Sequence, residues 1–238
     1  MAMGPLPLPF QRTGEGQDGA LPLADPVLFG AAYSVYVRIA RLALVEKGVA
    51  YRLVEVDIFA EGGPSADYLA RHPFGRIPAF EHDGFRLYET SAITRYVDEA
   101  FTGPALQPTA PKARARVNQV IAILDSYAYR TLVWDIYVER VRAAENGRVT
   151  DEAKIAAALP RAETCLAALE ALMAAGPWLA GPALTLADLH AAPIFAYAVL
   201  APEGRDLLAR HAALQRWWER MASRPSMAAT RSPLEPPS

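Results

Sequence analysis

Residues 72–91 read HPFGRIPAFEHDGFRLYETS and contain a hairpin followed by the start of a helix. Two short runs, Ile77–His82 and Phe85–Tyr88, flank Asp83-Gly84. Asp-Gly between two β-like runs is a strong hairpin signal, because a two-residue turn needs residues that tolerate positive φ. A helix is predicted from about Thr90 to Glu99. The stretch therefore predicts a ββα unit.

A strand–helix–strand unit precedes this stretch. Val27–Phe29 is a short apolar run ended by Gly30, which is typical of a buried strand. Residues 34–47 carry apolar side chains at helical spacing, and Lys47-Gly48 is a helix C-terminal signal. Tyr51–Asp57 predicts the second strand. Two strands joined by a helix within about 30 residues favour a parallel βαβ unit.

The second half of the chain is predicted to be entirely helical. Gly103-Pro104, Pro108 and Pro111 interrupt the pattern, so we place a linker there. Thr150 is the expected N-cap of the second of four helical stretches, which cover residues 112–146, 150–175, 185–200 and 207–222. The predicted organisation is a mobile tail at 1–26, an α/β domain at 27–101, the linker at 102–111, an α-helical bundle at 112–228 and a tail at 229–238.

The composition is that of an ordinary globular protein. The 238 residues include 24 Lys and Arg against 26 Asp and Glu, a formal charge of −2, so neither nucleic acid nor an anionic membrane is an expected partner. No apolar run reaches the ~18 residues of a membrane span, and a secretory signal is not expected. The lone Cys165 is compatible with a reducing cytoplasm. The four histidines lack metal-ligand spacing, so no metal is expected.

Ser34 lies between a buried strand and the start of a helix, where two interpretations apply. Serine is a common N-cap for purely structural reasons. A helix N-terminus also favours an anion, and a hydroxyl there can donate a hydrogen bond to a thiolate. Stabilising the charged form lowers the pKa of a thiol and raises its thiolate fraction.

Two further segments have both a structural and a functional interpretation. Pro78 lies near the start of a strand. It is either an ordinary strand-opening proline or a cis proline, and a cis bond would turn the main chain of Ile77 toward an extended peptide. Glu89-Thr90-Ser91 opens a helix, either as a plain cap or as a receptor for an amino acid. In the second case Thr90 and main-chain N–H groups hold a carboxylate, and Glu89 pairs with an ammonium group.

Aromatic side chains crowd one part of the first long helix. They are either core and dimer packing or the wall of a pocket for a flat, apolar ligand. Tyr127 and Trp134, seven residues apart, are expected to share a helical face. Tyr129 and Tyr137 belong to the same set.

Taken together, these motifs resemble those of the glutathione transferase family, nearest its serine-type bacterial and phi-like members. The similarity spans about 200 residues, from Val27 onward. The matching segments are Leu28-Phe29-Gly30, Ser34 with Arg38, Leu44–Gly48, His72–Phe80, Glu89–Ile93, Trp178–Gly181 and Leu184–Asp188. The resemblance implies a thioredoxin-like domain followed by an α-helical bundle.

The resemblance also implies a role for each site residue. Ser34 would stabilise the glutathione thiolate, with Tyr33 or Tyr36 as the alternative. Ile77, preceding cis-Pro78, would pair with the cysteinyl part of glutathione. Arg76 would lie beside the contact between Ile77 and the cysteinyl part, and Glu89 and Thr90 would bind the γ-glutamyl end. The implied electrophile pocket consists of Tyr33, Tyr36, Tyr127 and Trp134.

The implied activity is conjugation of glutathione, as co-substrate, to an apolar electrophile, which is a detoxification reaction of a cytoplasmic homodimer. Phe74 lies where some relatives insert an aromatic residue into the partner subunit. Residues 61–64, Glu-Gly-Gly-Pro, depart from the His-Lys pair that phi-like relatives place near the glycyl carboxylate. The alternatives are a glutathione-dependent isomerase or peroxidase, and a non-catalytic binding module.

Overall fold

A computed structural model describes residues 25–173 and 176–236 of the chain. The predicted N-terminal tail, except Asp25 and Pro26, therefore lies outside the described residues. Within the described ranges, no helix combines the length and the apolar character needed to cross a bilayer.

The first part of the chain forms a four-stranded mixed sheet with the strand order β2-β1-β3-β4. β1 pairs with β2 in parallel, whereas the β1–β3 and β3–β4 pairs are antiparallel. The elements are β1 (Val27–Phe29), α1 (Val35–Glu46), β2 (Arg52–Val54), α2 (Ala66–Leu69), β3 (Ala79–His82), β4 (Phe85–Tyr88) and α3 (Thr90–Ala100). This βαβ-ββα order confirms the predicted thioredoxin-like domain.

Two strands are shorter than predicted. β2 covers three residues instead of Tyr51–Asp57, and β3 begins at Ala79 instead of Ile77. Because Pro78 has no N–H group to donate, regular pairing starts after it. The hairpin is confirmed: Ala79 pairs with Tyr88, and Asp83 and Gly84 both have positive φ in the turn.

The second part is helical, as predicted, and its longest helix changes winding. A π-helical segment (Leu124–Arg142) continues α4 without a break and leads into α5. The helices are α4 (Pro111–Ile123), α5 (Ala143–Glu145), α6 (Glu152–Leu172), α7 (Leu186–Ala198), α8 (Pro202–Ala209), α9 (Ala212–Ala222) and α10 (Pro225–Ala229). We call the stretch from Pro111 to Glu145 the long helix.

The predicted helix boundaries need three corrections. Asp151, and not Thr150, caps α6, because its carboxylate accepts a hydrogen bond from the Lys154 main chain at 3.0 Å. α6 ends at Leu172, and the expected end at Ala175 lies outside the described residues. The stretch predicted at 207–222 is two helices, α8 and α9, separated at Arg210 and His211.

α7 is the centre of the helical part, and every one of its residues is buried. Thr185 and Asp188 form the predicted capping box at its N-terminus. The fully buried Asp188 carboxylate also accepts hydrogen bonds from the Leu179 main chain at 2.9 Å and from Trp217 Nε1 at 2.8 Å. The Asp188 carboxylate thus joins α7 to α9 and to the loop that precedes α7.

Candidate functional site

A cleft of about 1270 Å³ lies between the sheet-containing part and the helical part of the chain. Both parts contribute to its lining, and so does the C-terminal segment. Predicted site residues in the lining are Tyr33, Ser34, Tyr36, Arg76, Ile77, Pro78, Glu89, Thr90 and Trp134. The structure therefore brings together every predicted site residue except Tyr127.

Ser34 is the N-cap of α1, at the end of the loop that follows β1. Its main chain is extended, with φ −73° and ψ 131°, and its Oγ accepts a hydrogen bond from the Val37 main chain at 3.4 Å. The other side of the half-buried side chain faces the cleft. The hydroxyl proton is not used in this capping bond, because Oγ is the acceptor. Ser34 can therefore donate to an anion beside the positive end of the α1 dipole.

Ile77 presents an unused main-chain edge to the cleft. The Ile77–Pro78 peptide bond is cis, as the resemblance implies. Neither the N–H nor the C=O group of Ile77 forms a hydrogen bond with the described residues. Such an edge can pair with an extended peptide through main-chain hydrogen bonds.

Glu89 and Thr90 lie where β4 turns into α3. Glu89 has φ 69° and ψ 113°, a strained conformation for a residue other than glycine, and such strain is common at binding sites. The exposed Glu89 side chain makes no capping bond and no ion pair with the described residues, whereas Thr90 is buried. The free Glu89 carboxylate offers a partner for an ammonium group. The N-terminus of α3 offers a partner for a carboxylate.

Arg76 contributes an unpaired positive charge to this end of the cleft. Its guanidinium forms no ion pair within the described part of the chain, and its side chain is exposed. The pKa of His72 is lowered, chiefly by burial; the Glu89 charge opposes this shift and the Arg76 charge adds to it. The cleft lining therefore contains both a carboxylate and a guanidinium.

Two columns of side chains on the long helix and its C-cap residue line the opposite wall. Successive members of each column are four residues apart. The columns are Asp125, Tyr129, Val133 and Tyr137, and Arg130, Trp134, Val138, Arg142 and Asn146. In the first column, Tyr129, Val133 and Tyr137 place a largely apolar wall across from Ser34.

The expectation that Tyr127 lines the pocket is not met. Tyr127 is 63% exposed and lies outside the cleft, while Trp134 lies inside it. An α-helix brings residues seven apart to one face, but a π-helix closes its hydrogen bonds five residues apart and turns less per residue. The π segment therefore separates Tyr127 from Trp134. A search at intervals of four residues would have selected Tyr129 and Tyr137.

Tyr33 and Tyr36, the alternatives to Ser34, also line the cleft. The Tyr33 main-chain oxygen accepts a hydrogen bond from the Tyr197 hydroxyl. The Tyr36 ring lies edge-on to the Tyr129 ring, with 4.6 Å between centroids. Burial and the neighbouring Asp125 charge both raise the pKa of Tyr36, so its hydroxyl stays protonated.

The C-terminal segment, residues 230–235, completes the cleft and was not among the predicted site residues. Leu234 is part of the lining. The buried Arg38 guanidinium donates to the Met227 carbonyl at 3.1 Å and forms an ion pair with Glu235, and the Tyr197 hydroxyl bonds to Ser232. These contacts fix the segment against α1. No local pattern in the sequence indicates them.

In the part of the chain that the structure describes, no group of three His, Cys, Asp or Glu side chains is arranged to hold a metal ion. Cys165 is buried in α6, and burial raises the pKa of its thiol. The cleft therefore offers hydroxyl, carboxylate, guanidinium and main-chain groups as its chemistry.

Comparisons with known proteins agree with this architecture. A model of the glutathione S-transferase N-terminal domain matches residues 28–105, and a model of the glutathione S-transferase C-terminal domain matches residues 126–225. Glutathione S-transferase 4 of Zea mays is 31% identical over 211 residues, which cover 86% of this chain and 92% of the relative.

Two solved structures extend the comparison to three dimensions. Glutathione transferase F7 from Populus trichocarpa has a TM-score of 0.76 at 30% identity and covers 86% of this chain and 97% of its own. Maize glutathione S-transferase I in complex with an atrazine glutathione conjugate has a TM-score of 0.77 at 26% identity. The match covers 87% of this chain and 96% of the maize chain. The chain belongs to the glutathione S-transferase family.

Proposed function

We propose that this protein is a glutathione transferase that joins the glutathione thiolate to an apolar electrophile. The observation that carries the proposal is the position of Ser34, whose hydroxyl caps α1 on the cleft that Ile77 also lines. An extended peptide paired with Ile77 would place its central sulfur near the Ser34 hydroxyl. The maize neighbour bound to a glutathione conjugate supports the same ligand class.

Ser34 accelerates the reaction by keeping the sulfur ionised. A free thiol has a pKa of ~8.5 and is mostly protonated at neutral pH. A hydrogen bond from Ser34 and the positive end of the α1 dipole both favour the thiolate, which lowers this pKa. Holding thiolate and electrophile together in one cleft supplies the rest of the rate gain.

The γ-glutamyl end of glutathione fits the Glu89–Thr90 corner. Its carboxylate would accept from Thr90 and the α3 N-terminus, and its ammonium would pair with Glu89. Arg76 adds a positive charge beside the peptide. The glycyl end receives no contact from residues 61–64, because none of them lines the cleft.

The electrophile would enter along the opposite wall, where Tyr33, Tyr36 and Trp134 meet Tyr129 and Val133. Aromatic rings form a flat apolar surface, which suits a planar ligand. No metal or redox cofactor takes part in this scheme. We place the protein in the cytoplasm, with detoxification as its role.

The activity is tested with the purified chain, glutathione and chlorodinitrobenzene as the electrophile. We expect retention on immobilised glutathione and formation of the thioether, measured by absorbance and by mass spectrometry. Absence of both binding and product would refute the proposed function. Retention without turnover of any electrophile would instead support a non-catalytic binding module.

Replacing Thr90 by Val should weaken glutathione binding about tenfold or more. Val keeps the shape of Thr but lacks the hydroxyl, and a hydrogen bond to a charged group contributes about 1.5–3 kcal/mol, where ~1.4 kcal/mol is a factor of ten. Isothermal titration calorimetry measures the Kd. Thr90→Ser, which keeps the hydroxyl, is the matched control and should bind within about threefold of the original chain. Equal affinities for the Val and Ser variants would remove Thr90 from the site.

We further propose that two copies form a homodimer through the surface around Phe74. The Phe74 side chain is 69% exposed and contacts Tyr88, which is 37% exposed, with 6.0 Å between ring centroids. Exposed aromatic clusters mark interaction surfaces. Sedimentation equilibrium tests this: we expect twice the 25.8 kDa chain mass, and a monomer at micromolar concentration would contradict the proposal.

A further inference from the structure

The peptide unit that joins Tyr33 to Ser34 is hydrogen-bonded at both of its polar groups. The Ser34 N–H group donates to the Ala31 carbonyl at 3.0 Å. The Tyr33 carbonyl accepts from the hydroxyl of Tyr197, a buried residue of α7. Because these two bonds hold opposite edges of one planar peptide unit, they fix the main-chain position from which the Ser34 side chain reaches the cleft.

The Tyr197 hydroxyl has a second partner, which lies in the C-terminal segment. Its oxygen also contacts Ser232 Oγ, and either oxygen could be the donor in that pair. A phenol has a single proton, so when Tyr197 donates to the Tyr33 carbonyl, Ser232 donates to Tyr197. Burial raises the pKa of Tyr197 to about 12, so the hydroxyl keeps its proton at neutral pH.

The C-terminal segment is anchored so that Ser232 stays against Tyr197. Ser232 is buried, and its N–H group donates to Glu235 Oε1 at 3.1 Å. Glu235 pairs in turn with the buried Arg38 guanidinium. Arg38 lies one turn along α1 from Ser34. The contacts therefore form a closed ring, which leaves the first turn of α1 at Arg38 and returns through Tyr197 to the residue before Ser34.

We propose that Tyr197 is a positioning residue for Ser34, held in place by the C-terminal segment; this rests on the proposed glutathione transferase function. Tyr197 acts through the main-chain oxygen of Tyr33 and fixes where the Ser34 hydroxyl meets the glutathione sulfur. A hydrogen bond weakens steeply when its angle departs from linear. A misplacement of about 1 Å, caused far from the chemistry, can cost on the order of 100-fold in rate. Tyr197 therefore acts on thiolate stabilisation.

Although Tyr197 lines the cleft, its hydroxyl is already used by the protein. The proton is donated to the Tyr33 carbonyl, and the oxygen accepts from Ser232. The side chain is only 4% exposed. A hydroxyl whose donor and acceptor both have protein partners has no free group for a substrate. Tyr197 thus supports Ser34 without touching the reacting atoms.

The test measures conjugation of chlorodinitrobenzene and the pKa of the bound glutathione thiol in Tyr197→Phe. Phe keeps the ring that stacks on Tyr137, with 4.7 Å between centroids, and removes only the hydroxyl. We expect kcat at neutral pH to fall about five- to tenfold, while KM for glutathione stays within about threefold of the original value. The pKa of the bound thiol should move toward the ~8.5 of a free thiol.

Two further variants are matched to this one. Tyr96→Phe removes a hydroxyl that bonds to His82 Nδ1 at 2.8 Å outside the cleft, and it should change neither kcat nor the thiol pKa. Ser232→Ala removes the support from the C-terminal segment and should raise the thiol pKa by less than Tyr197→Phe does. If Tyr197→Phe does not fold, Ser232→Ala carries the test by the same measurements. An unchanged thiol pKa in Ser232→Ala would remove the C-terminal segment from the inference.

Combining Tyr197→Phe with Ser34→Ala shows whether Tyr197 acts through Ser34. Residues that act through one group are not additive, so we expect Tyr197→Phe to change kcat less than about twofold once the Ser34 hydroxyl is absent. Equal fold losses in both backgrounds would show a general structural effect and overturn the inference. A bound thiol that titrates in Tyr197→Phe as in the original chain would also overturn it. Conjugation would persist in either case, so the proposed function would stand.

Discussion

Ser34→Ala should lower glutathione conjugation by up to about 30-fold at neutral pH while leaving glutathione binding largely intact. A thiol whose pKa returns fully to ~8.5 is only about 3% ionised at pH 7, which sets this upper limit, and the remaining α1 dipole keeps the loss below it. The pH–rate profile should shift upward, because a thiol with a higher pKa ionises at higher pH. The variant should recover most of its rate above pH ~9.

The control for this prediction is another serine N-cap. Ser65 caps α2 in the same way, with its side chain accepting from the Tyr68 main chain at 3.2 Å, but it does not line the cleft. Ser65→Ala should lose a cap and keep the original pH profile. Ser34→Thr should retain most of the activity because it keeps a hydroxyl. A Ser34→Ala profile that overlays that of the original chain would exclude Ser34 from thiol activation, and Tyr33→Phe would then be the next variant.

Asp188→Ala should lower the free energy of unfolding by about 4 kcal/mol or more. The change removes the acceptor for three main-chain and side-chain N–H donors, those of Leu179, Thr185 and Trp217. A buried donor left unsatisfied costs ~1–3 kcal/mol. A domain is stable by only ~5–15 kcal/mol in total, so the variant should fold poorly.

Urea unfolding, followed by tryptophan fluorescence and circular dichroism, measures this loss. Asp206→Ala removes an exposed aspartate of α8 and should stay within about 0.5 kcal/mol of the original chain. An Asp188→Ala stability within about 1 kcal/mol of the original would mean that the neighbouring main chain finds other partners. The role of Asp188 would then be smaller than its contacts indicate.

The sheet-containing part was predictable because its signals are local. Asp83-Gly84 specifies a turn by its own conformational preferences, and Gly48 adopts φ 70° after α1 as a helix-ending glycine does. Ser34 caps α1 where the pattern predicts a cap, and in the helical part the equally local capping box of Thr185 begins α7. Each of these features depends on a few consecutive residues, which is why sequence patterns are enough to locate them.

The electrophile side of the site was less predictable, because it depends on contacts between distant segments. The bond between Tyr197 and Tyr33 joins residues 164 positions apart, and the contact between Arg38 and Thr230 spans 192 positions. The π winding of the long helix shifts the faces of its side chains, and the apolar periodicity does not reveal it. The α-helical spacing therefore predicts Tyr127 in the cleft, whereas the structure places Tyr129 there.

The most direct test of the thiolate mechanism is a titration of the glutathione thiol in its complex with the protein. Thiolate absorbance in the ultraviolet, followed against pH at saturating protein, gives the pKa of the bound sulfur. We expect a value well below the ~8.5 of a free thiol in the original chain and a return toward that value in Ser34→Ala. A bound sulfur that titrates at the same pH in both proteins would contradict the mechanism.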